Sequence, residues 1–191
     1  VVSFSVTSSD NCAGETITQT AGIASGGTFP VGTTTNTFLV TDIGGNTNSC
    51  SFTVTVTDNE DPTIPTLANV TGECSATATA PTTTDNCAGT ITGTTSDPLS
   101  YNSQGTYTIT WNFDDGNGND IDVNQTVIVD DITAPTITCP GNISVNNDSG
   151  SCDAVVTFNV TSSDNCAGET ITQTAGIASG GTFPVGTTTN T

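Results

Sequence analysis

Gly32-Thr33-Thr34-Thr35-Asn36-Thr37-Phe38-Leu39-Val40-Thr41-Asp42-Ile43-Gly44-Gly45-Asn46 is the stretch on which the fold turns. Threonine and β-branched or aromatic residues dominate up to Thr41, and Asp, Gly and Asn then crowd together, so a strand runs into a hairpin turn. The pattern returns without a gap as Gly105-Thr106-Tyr107-Thr108-Ile109-Thr110-Trp111-Asn112-Phe113-Asp114-Asp115-Gly116-Asn117-Gly118-Asn119, which sets Phe38 opposite Trp111. Both read as inward core anchors. The register continues through Val54 and Val56 against Val127 and Val129, to Asp61-Pro62 against Ala134-Pro135. Thr53-Val54-Thr55-Val56-Thr57 is a closing strand with threonine on its solvent face. The unit is therefore roughly 75 residues, the size of a compact sandwich domain.

Working outward, Asp10-Asn11-Cys12-Ala13-Gly14 recurs at Asp85-Asn86-Cys87-Ala88-Gly89 and at Asp164-Asn165-Cys166-Ala167-Gly168. Residues 155–191 reproduce residues 1–37 with only Ser3 against Thr157 and Ser5 against Asn159 differing, a period of 154 (155 − 1). A period of this kind signals an array. The expected division is a sandwich at 1–60 lacking its opening strands, a divergent sandwich at 61–134, and a sandwich at 135–191 truncated at its C-terminal side. The linkers are Asp58-Asn59-Glu60-Asp61-Pro62 and Asp130-Asp131-Ile132-Thr133-Ala134-Pro135. The fold class predicted is all-β: tandem antiparallel sandwiches in a linear array.

The chain has no Lys, Arg or His, against 19 Asp and Glu. No salt bridge can form between its side chains, and a buried carboxylate must find backbone donors or an external cation. Nucleic-acid binding is excluded as a function, because it rests on Lys and Arg neutralising phosphates. Catalysis loses its commonest general base and its usual oxyanion clamps, which leaves only carboxylate-pair chemistry. The acids sit in repeated turn-like clusters rather than in one unique cleft, so the chain reads as no enzyme. There is no apolar run long enough to span a membrane and no signal-peptide pattern. Threonine exceeds a fifth of all residues, and the seven cysteines lack CxxC or Cys/His metal spacing. Disulfides in an oxidising compartment follow, and with them a secreted, extracellular or cell-surface location.

Duplication makes the cysteine pairing arguable. Cys74 and Cys87 of the middle copy correspond to Cys152 and Cys166, while Thr66 stands where Cys139 does and Val123 where Cys50 does. Two positions lost together point to a pair, the alternative being coincidental loss of two free thiols. The expectation is Cys74 with Cys87, Cys152 with Cys166, and a Cys50-type residue with the Cys139-type residue of its own domain.

Cys139-Pro140, Asn142-Ile143, Gly150-Ser151-Cys152, Asp164-Asn165-Cys166 and Phe183-Pro184-Val185-Gly186-Thr187-Thr188 form one set of marks. Thr41-Asp42, Gly45-Asn46, Cys50-Ser51-Phe52-Thr53-Val54-Thr55-Val56 and Asp58 complete it. Together they resemble the hyalin repeat (HYR) module. The resemblance covers nearly all of the first and third copies and implies an immunoglobulin-like fold and a link to cell adhesion. The middle copy lacks the Cys-Pro element and the late cysteine, and is similar to divergent relatives in repetitive bacterial surface adhesins. What the resemblance implies is an adhesin or filament stalk.

The linker acids Asp58, Glu60 and Asp61, with Asn59, resemble the Asp/Asn-rich junctions of cadherin-type arrays. Calcium, with its six to eight oxygen ligands, is the cofactor expected there. Asp130 and Asp131 form the equivalent pair at the second junction, with Asp10, Asp85 and Asp164 as partners from adjacent loops. Solvated turn and linker residues are the plain alternative. Asp115-Gly116-Asn117-Gly118-Asn119 begins like a calcium loop but lacks the bidentate Glu, so a hairpin turn is expected instead. Sequons at Asn69, Asn124, Asn142, Asn147 and Asn159 admit N-linked glycan. Two functions compete. The first is a structural repeat whose partners are its own continuation or self-association along a filament. The second is an adhesion module whose loops, Ser96 to Gln104 or Ser25 to Pro30, bind a surface glycan or protein.

Overall fold

The computed structural model describes residues 1–191, which form strands and no helix. The chain is all-β and immunoglobulin-like, and it divides into two compact units. The first comprises Val1–Thr66, Ala80–Thr95 and Thr110–Val123; the second comprises Leu67–Thr79, Ser96–Ile109 and Asn124–Thr191.

In the first unit, β1 (Thr16–Ala21), β2 (Gly32–Thr41) and β3 (Thr47–Val56) form an antiparallel sheet in that order. The β2–β3 register runs without a slip from Gly32↔Val56 to Thr41↔Thr47. Alternation explains it: Phe52, Val54 and Val56 turn inward while Thr53 and Thr55 face solvent. Across the solvent face the Thr33 and Thr55 hydroxyls lie 3.1 Å apart, and those of Thr37 and Ser51 3.0 Å apart. Such cross-strand hydroxyl pairs are the sheet's own stabilising unit. On the inner face Phe4 meets Phe52 edge-on at 4.9 Å, and Phe38 stacks against Phe52 at 6.2 Å. Phe38 is half-buried, whereas its sequence counterpart Trp111 is buried. Asn36, buried in β2, accepts hydrogen bonds at Oδ1 from the Ile23 amide (2.8 Å) and from Gln19 Nε2 (3.2 Å).

β6 (Thr82–Asp85) and β7 (Gly89–Thr92) make a second antiparallel pair in this unit, closed by the turn Asn86-Cys87-Ala88. With Phe29 elsewhere in the unit, Ile91, Trp111 and Phe113 make up its buried apolar residues. Gly93 lies directly under the two rings. A Cβ at that position would sit 3.0 Å from Phe113 and 3.4 Å from Trp111, so the close approach requires glycine.

Strands β9 (Gly105–Asp114) and β10 (Asp120–Val129) have residues in both units. In the second unit β4 (Val70–Gly72) adds to β10, with Val70 opposite Val127 and Gly72 opposite Val129. This pair is parallel, a departure from the antiparallel expectation. A parallel pair needs a long crossover, and residues 73–126 supply it. Buried apolar side chains are Ala76, Ala78, Ile109, Val127, Val129 and Ala154. β5 (Ala76–Thr77) pairs with β8 (Ser100–Tyr101), and β12 (Asp153–Val155) pairs with β14 (Thr182–Pro184). β11 (Thr136–Thr138) pairs with β13 (Thr161–Ser163). Asn190 repeats the role of Asn36, accepting from the Ile177 amide (2.7 Å) and Gln173 Nε2 (3.3 Å). The 154-residue period is thus reproduced in hydrogen bonding as well as in letters.

Both Asp-Gly-Asn stretches are hairpin turns. Asp42 Oδ1 accepts from the Asn46 amide (2.8 Å) and Oδ2 from the Asn46 side chain (2.8 Å), with Gly45 at φ 87°. Asp115 Oδ1 accepts from the amides of Asn117 (2.7 Å), Gly118 (3.1 Å) and Asn119 (3.1 Å), and Oδ2 from the Asn119 side chain (2.7 Å). The carboxylate is consumed in closing the turn.

These bonds favour the ionised form. Asp42 titrates below the ordinary aspartate value, chiefly through the Asn46 side chain. At Asp115 lost hydration pulls upward, but the Asn119 and amide hydrogen bonds outweigh it and the net direction is also down. A folded pKa below the unfolded one gives stability that is full above the unfolded value and is lost as pH falls through the folded value. Stability should therefore fall on acidification from about pH 4 downward. Asp42→Asn with Asp115→Asn should flatten that fall in melts followed by circular dichroism; an unchanged acid limb would remove the turns as its origin.

Candidate functional site at the copy junctions

The first linker and the first unit's Asp-Asn-Cys turn build one constellation. Asp58, Asp85 and Cys87 each place one ligand atom within 4.8 Å of the others. Asp85 is buried, and its Oδ1 accepts from the amides of Cys87 (2.7 Å) and Ala88 (2.8 Å), an Asx turn that fixes the loop. Asp58 Oδ2 accepts from Asn117 Nδ2 (3.1 Å), and Asn86 Nδ2 donates to Glu60 Oε2 (2.6 Å). The Cys87 thiol is pushed above its ordinary pKa, first by lost hydration. Its hydrogen bond to Asp58 and the charges of Asp58, Asp85 and Glu60 act in the same direction. Alkylation of Cys87 should accordingly be slow at neutral pH and rise steeply on the alkaline side, whereas a rate typical of a free thiol at pH 7 would contradict that surround.

The second unit holds the counterpart. Asp131, Asp164 and Cys166 lie within 4.8 Å of one another by the same measure, and Asp164 Oδ1 accepts from the Cys166 amide (2.9 Å). Asp131 matches Asp58 at an offset of 73 (131 − 58). Asn165 Nδ2 donates to Glu73 Oε2, which also accepts from Thr133 Oγ1 (2.9 Å). Gln104 accepts from the Asp131 amide (2.8 Å) and donates to the Glu73 carbonyl (2.7 Å). Here the sulfur is bonded: Cys74 and Cys166 form a disulfide, with Cα atoms 5.2 Å apart.

That bond corrects the expected pairing. Cys74 is not joined to Cys87, nor Cys152 to Cys166; Cys87 and Cys152 are exposed free thiols, as are Cys12, Cys50 and Cys139. The physical reason is that the repeat argument treats each copy as closed on itself. In the fold the Asp-Asn-Cys turn of the third copy lies against the Gly-Glu-Cys turn of the middle one, through Asn165 and Glu73. The bridge follows that contact.

Of the acids expected to gather at the junctions, Asp58 comes together with Asp85, and Asp131 with Asp164. Asn59, Asp61, Asp130 and Asp10 enter neither cluster. Glu60 takes part by accepting from Asn86. Sequence reasoning missed Glu73, Asn86, Asn117, Asn165 and Gln104. Nothing in the sequence couples Glu73-Cys74 to Asn165-Cys166; that pairing is visible only in the fold. The five sequon asparagines, Asn69, Asn124, Asn142, Asn147 and Asn159, are all exposed.

The donor chemistry favours a hard cation. The carboxylates of Asp58, Asp85 and Glu60, and those of Asp131, Asp164 and Glu73, offer the oxygens calcium takes. Sulfur does not suit that ion, and Cys166 is already spent in its bridge.

The HYR domain model matches residues 1–56 and 130–191. This chain belongs to the HYR domain family. The model for the HYR-like domain with 4 cysteines matches residues 61–129, a stretch in which this chain keeps only Cys74 and Cys87. A curated relative, Hyalin of Strongylocentrotus purpuratus, is 32% identical over 186 residues, covering 90% of this chain and 15% of the relative. The HYR chain thus spans less than a sixth of that relative's length. No solved structure matches it. No helix is long and apolar enough to cross a membrane.

Proposed function

We propose that this chain is a non-catalytic structural segment of an extracellular filament or adhesin stalk, its copies held in line by disulfides and by calcium at their junctions. The observation that carries the reading is the recurrence of one constellation, linker Asp with Asx-turn Asp and cysteine, at both linkers. A covalent bond from the middle copy to the third supports continuity along the chain. Near-identity between residues 1–37 and 155–191 favours a spacer as well. Carboxylates gathered on a chain of formal charge −19 repel one another, and a divalent ion seated among them would relieve this.

Calcium at a hundred times its dissociation constant stabilises the folded state by about 2.7 kcal/mol, which is a Tm shift of order 10 °C for a domain of this size. EDTA should lower Tm by that amount and broaden the small-angle scattering profile, and Asp58→Asn with Asp85→Asn should abolish the calcium response. Melting and scattering curves that coincide with and without calcium would overturn the metal's part. Images of the native assembly test the rest: a uniform fibre repeating at one or two copies supports it, and isolated molecules with saturable glycan affinity would replace it.

A further inference from the structure

Cys87 and Cys152 are the two thiols for which the structure supplies a template. Cys152 is placed as Cys74 is: each stands two residues before a buried alanine, Ala154 and Ala76. Those alanines pair across an antiparallel ladder with aromatic counterparts, Phe183 and Tyr101. Two residues further on, the Val156 amide reaches the Gly181 carbonyl (3.3 Å), as the Ala78 amide reaches that of Leu99 (2.8 Å). Cys87 is placed as Cys166 is, on an Asx turn closed by the preceding aspartate and beside the matching linker aspartate. Cys74 and Cys166 are bonded to each other. Their counterparts are both free and exposed.

From this we infer that Cys152 of one period and the Cys87 counterpart of the following period form a second disulfide, so that every junction of the array is latched, not every other one. The inference rests on the array reading above. A complementary exchange of side chains supports it. At the bonded junction Glu73 accepts from both Asn165 and Thr133. In the other kind of junction Ser151 stands in place of Glu73 and Glu60 in place of Thr133. There the glutamate comes from the linker and already accepts from Asn86 at 2.6 Å. The carboxylate has changed sides, and the asparagine of the Asp-Asn-Cys turn finds it in either case.

The count closes as well. Residues 1–154, one full period, carry Cys12, Cys50, Cys74, Cys87, Cys139 and Cys152. With Cys74 joined to the Cys166 type, Cys152 to the Cys87 type, and the Cys50 type to the Cys139 type, none remains over. Closing the second latch removes two protons and two electrons from two thiols. A disulfide-bearing oxidant takes them by thiol–disulfide exchange, one thiolate forming a mixed disulfide that the other resolves.

The test is disulfide mapping on a chain carrying two consecutive 154-residue periods, purified without reductant and blocked with N-ethylmaleimide. Trypsin has no site in the sequence, but cleavage before aspartate puts each of the seven cysteines on a peptide of its own, Cys87 on 85–96 and Cys152 on 148–152. The expected result is a linked pair of those two peptides alongside the Cys74–Cys166 pair, which serves as internal control. Complete maleimide labelling of both peptides with no linked pair between them, or a Cys74–Cys87 peptide, would overturn the inference; the first period's Cys87 and the second period's Cys152 counterpart have no partner in this chain and carry maleimide in either case. Both arms lie within one polypeptide, so the result is independent of whether the protein forms filaments.

Discussion

Phe113→Ala is expected to destabilise the protein by about 3 to 5 kcal/mol, the cost of emptying an aromatic site in a packed core. Phe113 is fully buried, Trp111 on the same strand is 1% exposed, and the glycine beneath them leaves no slack to take up the void. Because Trp111 is the single tryptophan, its fluorescence in a denaturant titration reports on this core alone. Phe113→Leu retains much of the volume and should lose less than half as much. A loss below about 1 kcal/mol for the alanine variant would mean that the ring is not the anchor its burial indicates.

The second large effect belongs to the Cys74–Cys166 bond. The two residues are 92 apart in sequence, and closing a loop of that length removes unfolded-state entropy equivalent to about 4 to 5 kcal/mol at 25 °C. Cys74→Ser, Cys166→Ser and the double variant should each lose an amount of this order, and the double variant should lose no more than either single one, because one bond is removed in all three. Reductant should bring the parent chain to the same stability while leaving the variants unmoved. Equal stability of oxidised and reduced parent would show that the bridge does not constrain the unfolded chain.

What the amino-acid sequence made legible is what local chemistry determines. Asp42 and Asp115 lie in stretches where Gly supplies φ above zero and Asn supplies a donor four residues on, so the turns follow from nearest neighbours. The threonine face of β3 follows from a period of two, and the burial of Trp111 from its size on such a strand. The meeting of Asp58 with Asp85, and of Asp131 with Asp164, was also within reach, since linkers and adjacent turns are close in any tandem array. Glu73 was not. It carries no motif of its own, and only the three-dimensional approach of Asn165 and Thr133 reveals it. The disulfide eluded the same reasoning: internal homology shows which cysteines are equivalent, but not whether equivalent residues bond within a copy or to the next one. The parallel run of β4 beside β10 is likewise a matter of topology, invisible to a pattern read one strand at a time.

Were tension applied between the two ends of the chain, the bond between Cys74 and Cys166 would decide where it travels. Force entering from the amino side reaches Cys74 and crosses two sulfur atoms to Cys166, so residues 75–165 hang as a slack loop off the load path. At about 3.4 Å per extended residue, that loop is roughly 300 Å of contour length that stretching does not draw upon. A backbone cut anywhere inside it would leave the two ends of the chain covalently joined.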